Sequence, residues 1–315
     1  MAITADKRDE AARAGWLYYV AGNTQDQIAT KLGVSRQSAQ RLVSLAVSEG
    51  LVKVRIDHPI ANCMDLAQQM RKHFNLTFCD IAPTDPGSSS LTLGVSQSAA
   101  FHIEKWLLQE DPIIMAIGTG RTLKTAIEQL PNIECPQHRV VSLTGNIAPD
   151  GSASYFNVIF PMADLVTARL FPMPLPIFAT SKEERLMLSS QKMISPTLEL
   201  ASKADVTFVG IGELGVDGPL FIDGFISLEK MKALEVAGAI GEIIGWAFDA
   251  EGQLIKGLTN ECVTSAPLPS RDSGLVIGIG KGQTKLPAIR AALQGQLING
   301  LITDEWTAAK LLERP

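Results

Sequence analysis

The sequence predicts an α/β protein in two parts, an N-terminal winged helix-turn-helix and a larger Rossmann-like domain. Three observations predict it. Residues 1–58 carry apolar stripes at helical spacing separated by small turns, short apolar runs alternate with helical segments from about residue 95, and glycines follow several of those runs. Strands alternating with helices imply a largely parallel sheet covered on both faces. The boundary falls at residue 58, with residues 1–58 forming the first domain and 59–315 the second.

In the first domain, Ala12, Trp16, Tyr19 and Val20 recur at helical spacing in a stretch that stops at Gly22 and Asn23. Thr24 caps a second helix, "QDQIATKL", whose Ile28, Ala29 and Leu32 form an inward stripe, and Gly33 allows a tight exit. Ser35 caps a third, "RQSAQRLVSLA", in which Ala39, Leu42, Val43 and Ala46 face inward while Arg36, Gln37, Ser38, Gln40 and Arg41 face out. "GLVKVRID" then alternates Val52, Val54 and Ile56 with Lys53 and Arg55, as a wing strand would.

Two short helices joined by a small turn, the second opening on polar and basic residues, allow that second helix to enter a DNA major groove. Arg36 and Gln37 suit base edges because each offers paired hydrogen-bonding groups. Ser35, Ser38, Gln40 and Arg41, with Thr24 and Gln25 at the start of the preceding helix and Lys53 and Arg55 on the wing, make up the rest of the DNA-facing set, mostly toward phosphates. The alternative is a plain helical subdomain with a solvated polar face.

Composition bounds the possibilities. Apolar residues are 46% of 315 and charged residues 19%, enough apolar surface to bury a core. The net charge is −5, yet residues 1–58 hold eight Lys or Arg against six Asp or Glu, and the remainder 20 against 27. A surface that grips nucleic acid everywhere is excluded, whereas a localised basic front is not. No apolar run approaches the roughly 20 residues that span a bilayer. The opening "MAITADKRDEAARAG" lacks the apolar centre of a signal peptide, so a cytoplasmic location without a membrane partner is expected. Cys63, Cys79, Cys135 and Cys262 show no C-x-x-C spacing, which points to reduced thiols and to no metal site.

In the second domain, "NCMDLAQQMRKHFNL" reads as a helix and "PTDPGSSS" as a break. "IIMAIG", "VVSLTG", "PIFAT", "VTFVGIG", "EIIGWAFD" and "LVIGIG" read as strands, with helices over 95–109, 121–130, 161–170, 183–202 and 285–300. Ligands of such sheets bind beyond the carboxyl ends of the strands. "IIMAIGTGRTLKTAI" passes from a strand through Gly118 and Gly120 into a helix, where Thr119, Arg121 and Thr122 can reach a phosphate. In "LVIGIGKGQTKLPAI", Lys285 stands beside a glycine turn near a helix start and suits a phosphate clamp, although solvated Lys and Arg would look the same. "GIGELG" at 210–215 matches G-x-G-x-x-G, but Gly218, Pro219 and Gly224 stand where a helix should begin, so a dinucleotide cofactor is excluded and no cofactor is expected.

Taken together, the chain resembles the SorC family of bacterial transcriptional regulators, within the wider DeoR-like group. The resemblance rests on "AGNTQDQIATKLGVSRQSAQRLVSLAVSEGLVKVRI", "IGTGRTL", "VGIGELG", "AIGEIIGWAFDAEG", "GKGQTKLPAIRAALQGQLINGLITDEWTAAKLL" and the Pro172–Pro176 loop, which follow in family order along nearly all of the chain. It implies a helix-turn-helix that binds double-stranded operator DNA, and an effector-binding and oligomerisation domain with the fold of sugar-phosphate isomerases, deaminases and CoA transferases. It also implies homotetramers, as dimers of dimers, and repression of a carbohydrate or polyol catabolic operon relieved by a sugar, polyol or sugar-phosphate effector.

Carried over by motif, Gly118, Thr119, Gly120, Arg121 and Thr122 line the effector, as do Gly145 and Asn146 of "LTGN". Asp249 of "FDAEG" would accept hydrogen bonds from sugar hydroxyls, or else cap its own turn, and Lys285 would hold a phosphate. Relatives carry a bulky aromatic where Thr119 stands, which leaves ligand size and phosphorylation open. The rival reading is a sugar-phosphate isomerase or deaminase fused to a DNA-binding segment. Such a deaminase places an acidic, His-containing loop after "GxG" for acid–base work, and "GIGELGVDGPLFIDG" has Glu213, Asp217 and Asp223 but no His. The chain is therefore expected not to be an enzyme.

Overall fold

A computed structural model of the chain describes residues 5–52, 60–84, 93–148, 150–272 and 274–313. The chain divides into two compact units, Met1–His58 and Pro59–Pro315.

The first unit contains α1 (Ala5–Tyr19), α2 (Gln25–Leu32) and α3 (Arg36–Ser48). Thr24 closes a capping box on α2: its hydroxyl accepts from the Gln27 amide at 3.3 Å, and the Gln27 side chain accepts from the Thr24 amide at 2.8 Å. Gly33 ends α2 at φ 66°, a left-handed conformation, so the chain can turn at once into α3. Ser35 then caps α3, accepting from the Ser38 amide at 3.1 Å. Ala11, Ala14, Ile28, Ala29, Ala39, Leu42, Val43 and Ala46 are buried together, so the inward stripes expected for α2 and α3 meet in one core. Trp16 and Val20 of the expected α1 stripe are instead 56% and 69% exposed, and Ala11 and Ala14 bury that helix. Val54, Ile56, Lys53 and Arg55 of the expected wing lie outside the described residues.

The second unit begins with α4 (Ala61–Phe74), β1 (Phe78–Ala82), α5 (Leu93–Leu107), β2 (Ile114–Ile117), α6 (Arg121–Ile127) and β3 (Arg139–Ile147). There follow α7 (Ile159–Ala163), β4 (Arg169–Pro176), α8 (Lys182–Ser189), α9 (Ser195–Ser202), β5 (Val206–Gly210), β6 (Gly212–Glu213), α10 (Pro219–Ile222) and α11 (Leu228–Val236). The unit closes with β7 (Gly241–Ile243), β8 (Trp246–Phe248), β9 (Leu275–Ile279), α12 (Leu286–Gln294), β10 (Gly300–Asp304) and α13 (Glu305–Leu312).

Seven strands form one parallel sheet in the order β1-β10-β9-β5-β2-β3-β4. Side chains alternate between its two faces. Met115 and Ile117 of β2, Phe208 of β5 and Ile302 of β10 pack with α5, α6 and α7. Their neighbours Ala116, Val209 and Leu301 pack with α4, α9, α12 and α13 on the other face. Apolar residues on both sides of each strand explain the unbroken apolar runs of the sequence. From β2 the chain steps outward through β3 and β4, and from β5 it steps the opposite way through β9 and β10, so the order reverses between β2 and β5. A crevice opens at such a reversal, beyond the carboxyl ends of the strands.

Several elements differ from the sequence reading. The expected helix 161–170 is the one-turn α7 followed by β4, and the Pro172–Pro176 segment expected as a loop is the end of that strand. Proline lacks an amide donor, and β4 tolerates it because it is an edge strand paired with β3 alone. "EIIGWAFD" is not one strand of the main sheet but the hairpin β7–β8, which with β6 makes a separate antiparallel sheet. Helix 183–202 is two helices, α8 and α9, and β1 and β10 were not anticipated.

The start and finish of this unit are clasped. Glu305 at the head of α13 accepts from the Asn62 side chain at 2.6 Å and from the Thr84 amide at 2.9 Å, while the Trp306 amide donates to the Thr84 hydroxyl at 3.2 Å. The bonds from the Thr84 amide and the Asn62 side chain hold the Glu305 carboxyl below its ordinary range.

Candidate functional site

In the first unit, Arg36, Gln37, Gln40 and Arg41 are exposed along α3, at positions that share one helix face. Arg36 Nε lies 3.5 Å from Asp26 Oδ1 of α2, with both side chains 69% exposed. Such a pair contributes about 0–1 kcal/mol, so the guanidinium is readily released to a phosphate or a base. Ser35 and Ser38 bond each other through their hydroxyls at 2.9 Å, and Thr24 serves the capping box. Their first role is to shape the turn; Gln25 is half-buried beside them. Lys53 and Arg55 lie outside the described residues.

In the second unit, a cavity of about 110 Å³ occupies the crevice between β2 and β5. Three layers of structure build it. Thr119, Gly120, Arg121 and Thr122 come from the turn after β2, Gly210 to Gly212 from the end of β5, and Ile279 from the end of β9. Glu242, Ile244 and Gly245 descend from the β7–β8 hairpin, and α10 with its flanks contributes Leu220, Asp223 and Phe225. Ser154 and Phe156 come from the segment before α7. Ile244 and Gly245 form the two-residue turn of the hairpin at φ 49° and 90°. For the β-branched Ile244 this left-handed conformation is strained, and it places an apolar side chain against the bound space.

The two cations of the cavity each face a carboxylate. Arg121 Nη2 donates to Asp223 Oδ1 at 2.7 Å, and its guanidinium lies 4.4 Å from the centre of the Phe156 ring. Lys285 Nζ donates to the Ile211 carbonyl at 2.9 Å and stands 3.6 Å from Glu213 Oε2. Glu242 Oε2 accepts from the Gly245 amide at 2.7 Å. Its other oxygen lies where a side chain on Gly212 would collide with it, so Gly212 is required for this close approach. Burial pushes the Glu242 carboxyl above its ordinary value; Lys285 counteracts part of the shift and Glu213 adds to it. Thr119, Thr122, Thr144 and Ser154 add hydroxyls, while Leu123, Ile177, Ile211 and Ile279 make the wall apolar. Apolar surface with a few convergent polar groups is the composition of a small-molecule site.

Of the residues expected from the sequence, Thr119, Gly120, Arg121, Thr122 and Lys285 line this cavity, and Gly118, Gly145, Asn146 and Asp249 do not. Gly118 donates its amide to the Phe208 carbonyl at 2.8 Å and joins β2 to β5 behind the wall. Gly145 is pressed against β4, where a Cβ would collide with the Leu175 and Pro176 carbonyl oxygens. The Asn146 carbonyl takes the Ser154 amide at 2.9 Å, so Asn146 supports a lining residue; Thr144 is the β3 residue that reaches the cavity. Asp249 Oδ1 accepts from the amides of Glu251 at 3.1 Å and Gln253 at 2.8 Å, closing its own turn. Sequence reasoning missed Glu242, whose signal was an acid inside the apolar run "AIGEIIGWAF".

Among the described residues no histidine lines the cavity. His138 is buried and bonded by the Ile113 amide at 3.2 Å and near the Leu107 carbonyl at 3.1 Å, a structural placement. No metal-ligating cluster occurs among the described residues, and no described helix is long and apolar enough to cross a membrane. Burial and neighbouring carboxylates push the Cys63 and Cys79 thiols up to about 12, which keeps both thiols protonated at neutral pH.

A capped helix-turn-helix unit joined in one chain to an α/β unit with a ligand cavity at its strand reversal defines a ligand-responsive transcriptional regulator. Comparison with known proteins agrees. The family described as "Putative sugar-binding domain" matches residues 58–313. The Erythritol catabolism regulatory protein EryD of Brucella abortus is 33% identical over 313 residues, covering 99% of each chain. The transcriptional regulator LsrR of Escherichia coli K12 is 30% identical, covering 97% of this chain and 95% of its own. The crystal structure of the full-length sorbitol operon regulator SorC of Klebsiella pneumoniae superimposes with a TM-score of 0.71 at 26% identity, covering 98% of this chain and 100% of its own. The chain belongs to the SorC family of sugar-binding transcriptional regulators. These relatives are regulators and not enzymes.

Proposed function

We propose that the protein represses a carbohydrate or polyol catabolic operon, binding operator DNA through α3 and releasing it when a small polyhydroxylated effector fills the cavity between β2 and β5. The observation that carries the reading is that cavity, an apolar pocket with convergent hydroxyl, carboxylate and cationic groups in a chain that also presents a polar, basic helix face. Two relatives named for erythritol catabolism and for a sorbitol operon point to polyol metabolism as the controlled pathway. In this reading the protein is cytoplasmic and assembles as a homotetramer, a dimer of dimers. A ligand changes DNA affinity only through its differential affinity for two arrangements of the assembly, and the spacing of operator half-sites makes binding sensitive to how the DNA-binding units are set.

The test is selection of binding sites from a random duplex library with the full-length protein, followed by anisotropy titrations on the selected site. Enrichment of a two-fold symmetric sequence, lost in Arg36→Ala and Gln37→Ala, supports the reading; absence of enrichment overturns it. Sedimentation of the same sample distinguishes tetramer from dimer or monomer.

A further inference from the structure

Between Thr24 and Ser48, the stretch that forms α2, the turn and α3, Asp26 is the only acidic residue, set against Lys31, Arg36 and Arg41. A carboxylate on a surface that meets a polyanion weakens the attraction between them. Lys31 does not neutralise it, because Lys31 Nζ donates to the Asn23 side chain at 2.6 Å. Its partner is Arg36, whose Nε stands 3.5 Å from Asp26 Oδ1.

Both residues belong to capped helix starts. The capping box of Thr24 and Gln27 sets Asp26 at the second position of α2, and Ser35 sets Arg36 at the first position of α3. The carboxylate meets the side of the guanidinium, and the two terminal nitrogens have no partner among the described residues. Those nitrogens form a fork that fits the O6 and N7 acceptors of a guanine, and the start of a recognition helix is where base edges are contacted. A guanine edge brings neutral acceptors to the fork. A phosphate brings a full negative charge beside the Asp26 carboxylate, and that repulsion grows as the groove excludes water. The pair holds weakly in the free protein, where both side chains are exposed; its effect is exerted in the complex.

We infer that Asp26 is a positioning residue for DNA recognition: it holds Arg36 from the side, leaves the fork free for a guanine and turns it from phosphates. Part of the sequence-independent affinity is thereby exchanged for discrimination. The inference rests on the reading of α3 as the operator-binding helix.

The experiment uses the full-length protein and the duplex that it selects from a random library, with every single base-pair substitution of one half-site and a scrambled duplex of equal length. Affinities are read by fluorescence anisotropy at one low ionic strength, and for the scrambled duplex across a salt series. The unaltered protein is expected to prefer one G·C pair by at least about fivefold, and Arg36→Ala to lose that preference, which assigns the base that Arg36 reads. Asp26→Asn is expected to reduce the preference at that same pair by at least about threefold and to leave the other positions unchanged. It should also bind the scrambled duplex more tightly, with a salt slope steeper by about 0.9, the value for one added phosphate contact. Asp26→Glu, which keeps the carboxylate, should retain the preference, and in the Arg36→Ala background Asp26→Asn should change no base preference. Asp26→Ser gives the same test if Asp26→Asn does not fold. A purely structural role at the head of α2 shifts all duplexes alike. Such a uniform change in Asp26→Asn, or a loss in Arg36→Ala confined to no single base pair, overturns the inference and leaves α3 as the DNA-binding helix. Absence of any selected sequence overturns both.

Discussion

Replacing Asn260 by Leu tests how the cavity is held together. Asn260 is buried in a 3₁₀ turn, Leu258–Glu261, and pins the β7–β8 hairpin from behind. Its carbonyl accepts from the Ala247 amide at 2.9 Å, and its amide donates to the carbonyls of Ala247 and Ile255, both at 2.8 Å. Leucine is similar in size and opens no large void, so the loss falls on hydrogen bonding. The Ala247 carbonyl keeps the Ile255 amide at 3.0 Å, whereas the Ala247 amide and the Ile255 carbonyl lose the partners that Asn260 supplies. Each orphaned buried group costs about 1–3 kcal/mol, so the variant is expected to lose about 2–6 kcal/mol. For a unit of this size that lowers Tm by about 5–20 °C. Denaturant unfolding followed by fluorescence and circular dichroism measures it. Because β7 carries Glu242 and precedes Ile244, the stabilisation given by a bound polyol should fall in parallel. A midpoint within about 1 kcal/mol of the parent protein would refute the claim that this one side chain secures the hairpin.

Three further outcomes are expected. Burial raises the Glu242 carboxyl above its ordinary value of 4.5, so the folded protein holds that proton more tightly than the unfolded chain does; this contribution is complete below the ordinary value and is lost as pH rises through the shifted one. Glu242→Gln, which retains an acceptor for Gly245, should therefore gain stability relative to the parent as pH rises, read as the difference in Tm across a pH series. Gly145→Ala should disrupt the β3–β4 pairing, since its Cβ collides with two β4 carbonyl oxygens, and should lower the denaturation midpoint by more than the roughly 1–3 kcal/mol typical of overpacking. Ser35→Ala removes the cap of α3 and should cost the first unit about 0.5–2 kcal/mol, seen as faster amide exchange confined to α3 with the midpoint of the second unit unchanged.

Much of the fold is legible where a local signal and the tertiary outcome agree. Thr24, Gly33 and Ser35 mark helix ends because their side chains or backbone freedom act within three residues, and all three stand at those ends in the structure. β2, β3, β5 and β9 are legible because burial on both faces leaves continuous apolar runs. β10 is not legible because "GLITD" is a short apolar run flanked by helical sequence, and a run that short has no period of its own. β1 carries Asp80 and Cys79 among its five residues and lacks a strong apolar signature.

The cavity is legible from the side of the main sheet, where Thr119–Thr122 and Lys285 follow strands. Its other wall is not, because Glu242 and Ile244 reach it through a hairpin whose fold depends on Asn260 and on Gly212 lying beneath a carboxylate. Asp223 could be found in the sequence as an acid, but its partnership with Arg121 spans 102 positions and exists only in the folded chain.

The clasp between Asn62 and Glu305 makes the second unit a ring in space. Its first helix and the head of its last lie side by side, and the eight residues of α13 carry the chain only about 12 Å further. Such a ring can be cut and rejoined. A short linker joining the two ends, with new termini opened at the exposed turn around Glu251, would preserve every strand neighbour in the sheet, and a reporter placed at either original end would sit at nearly the same place. Evolution, or an engineer, can thus exchange what this sensor drives without rebuilding how it senses.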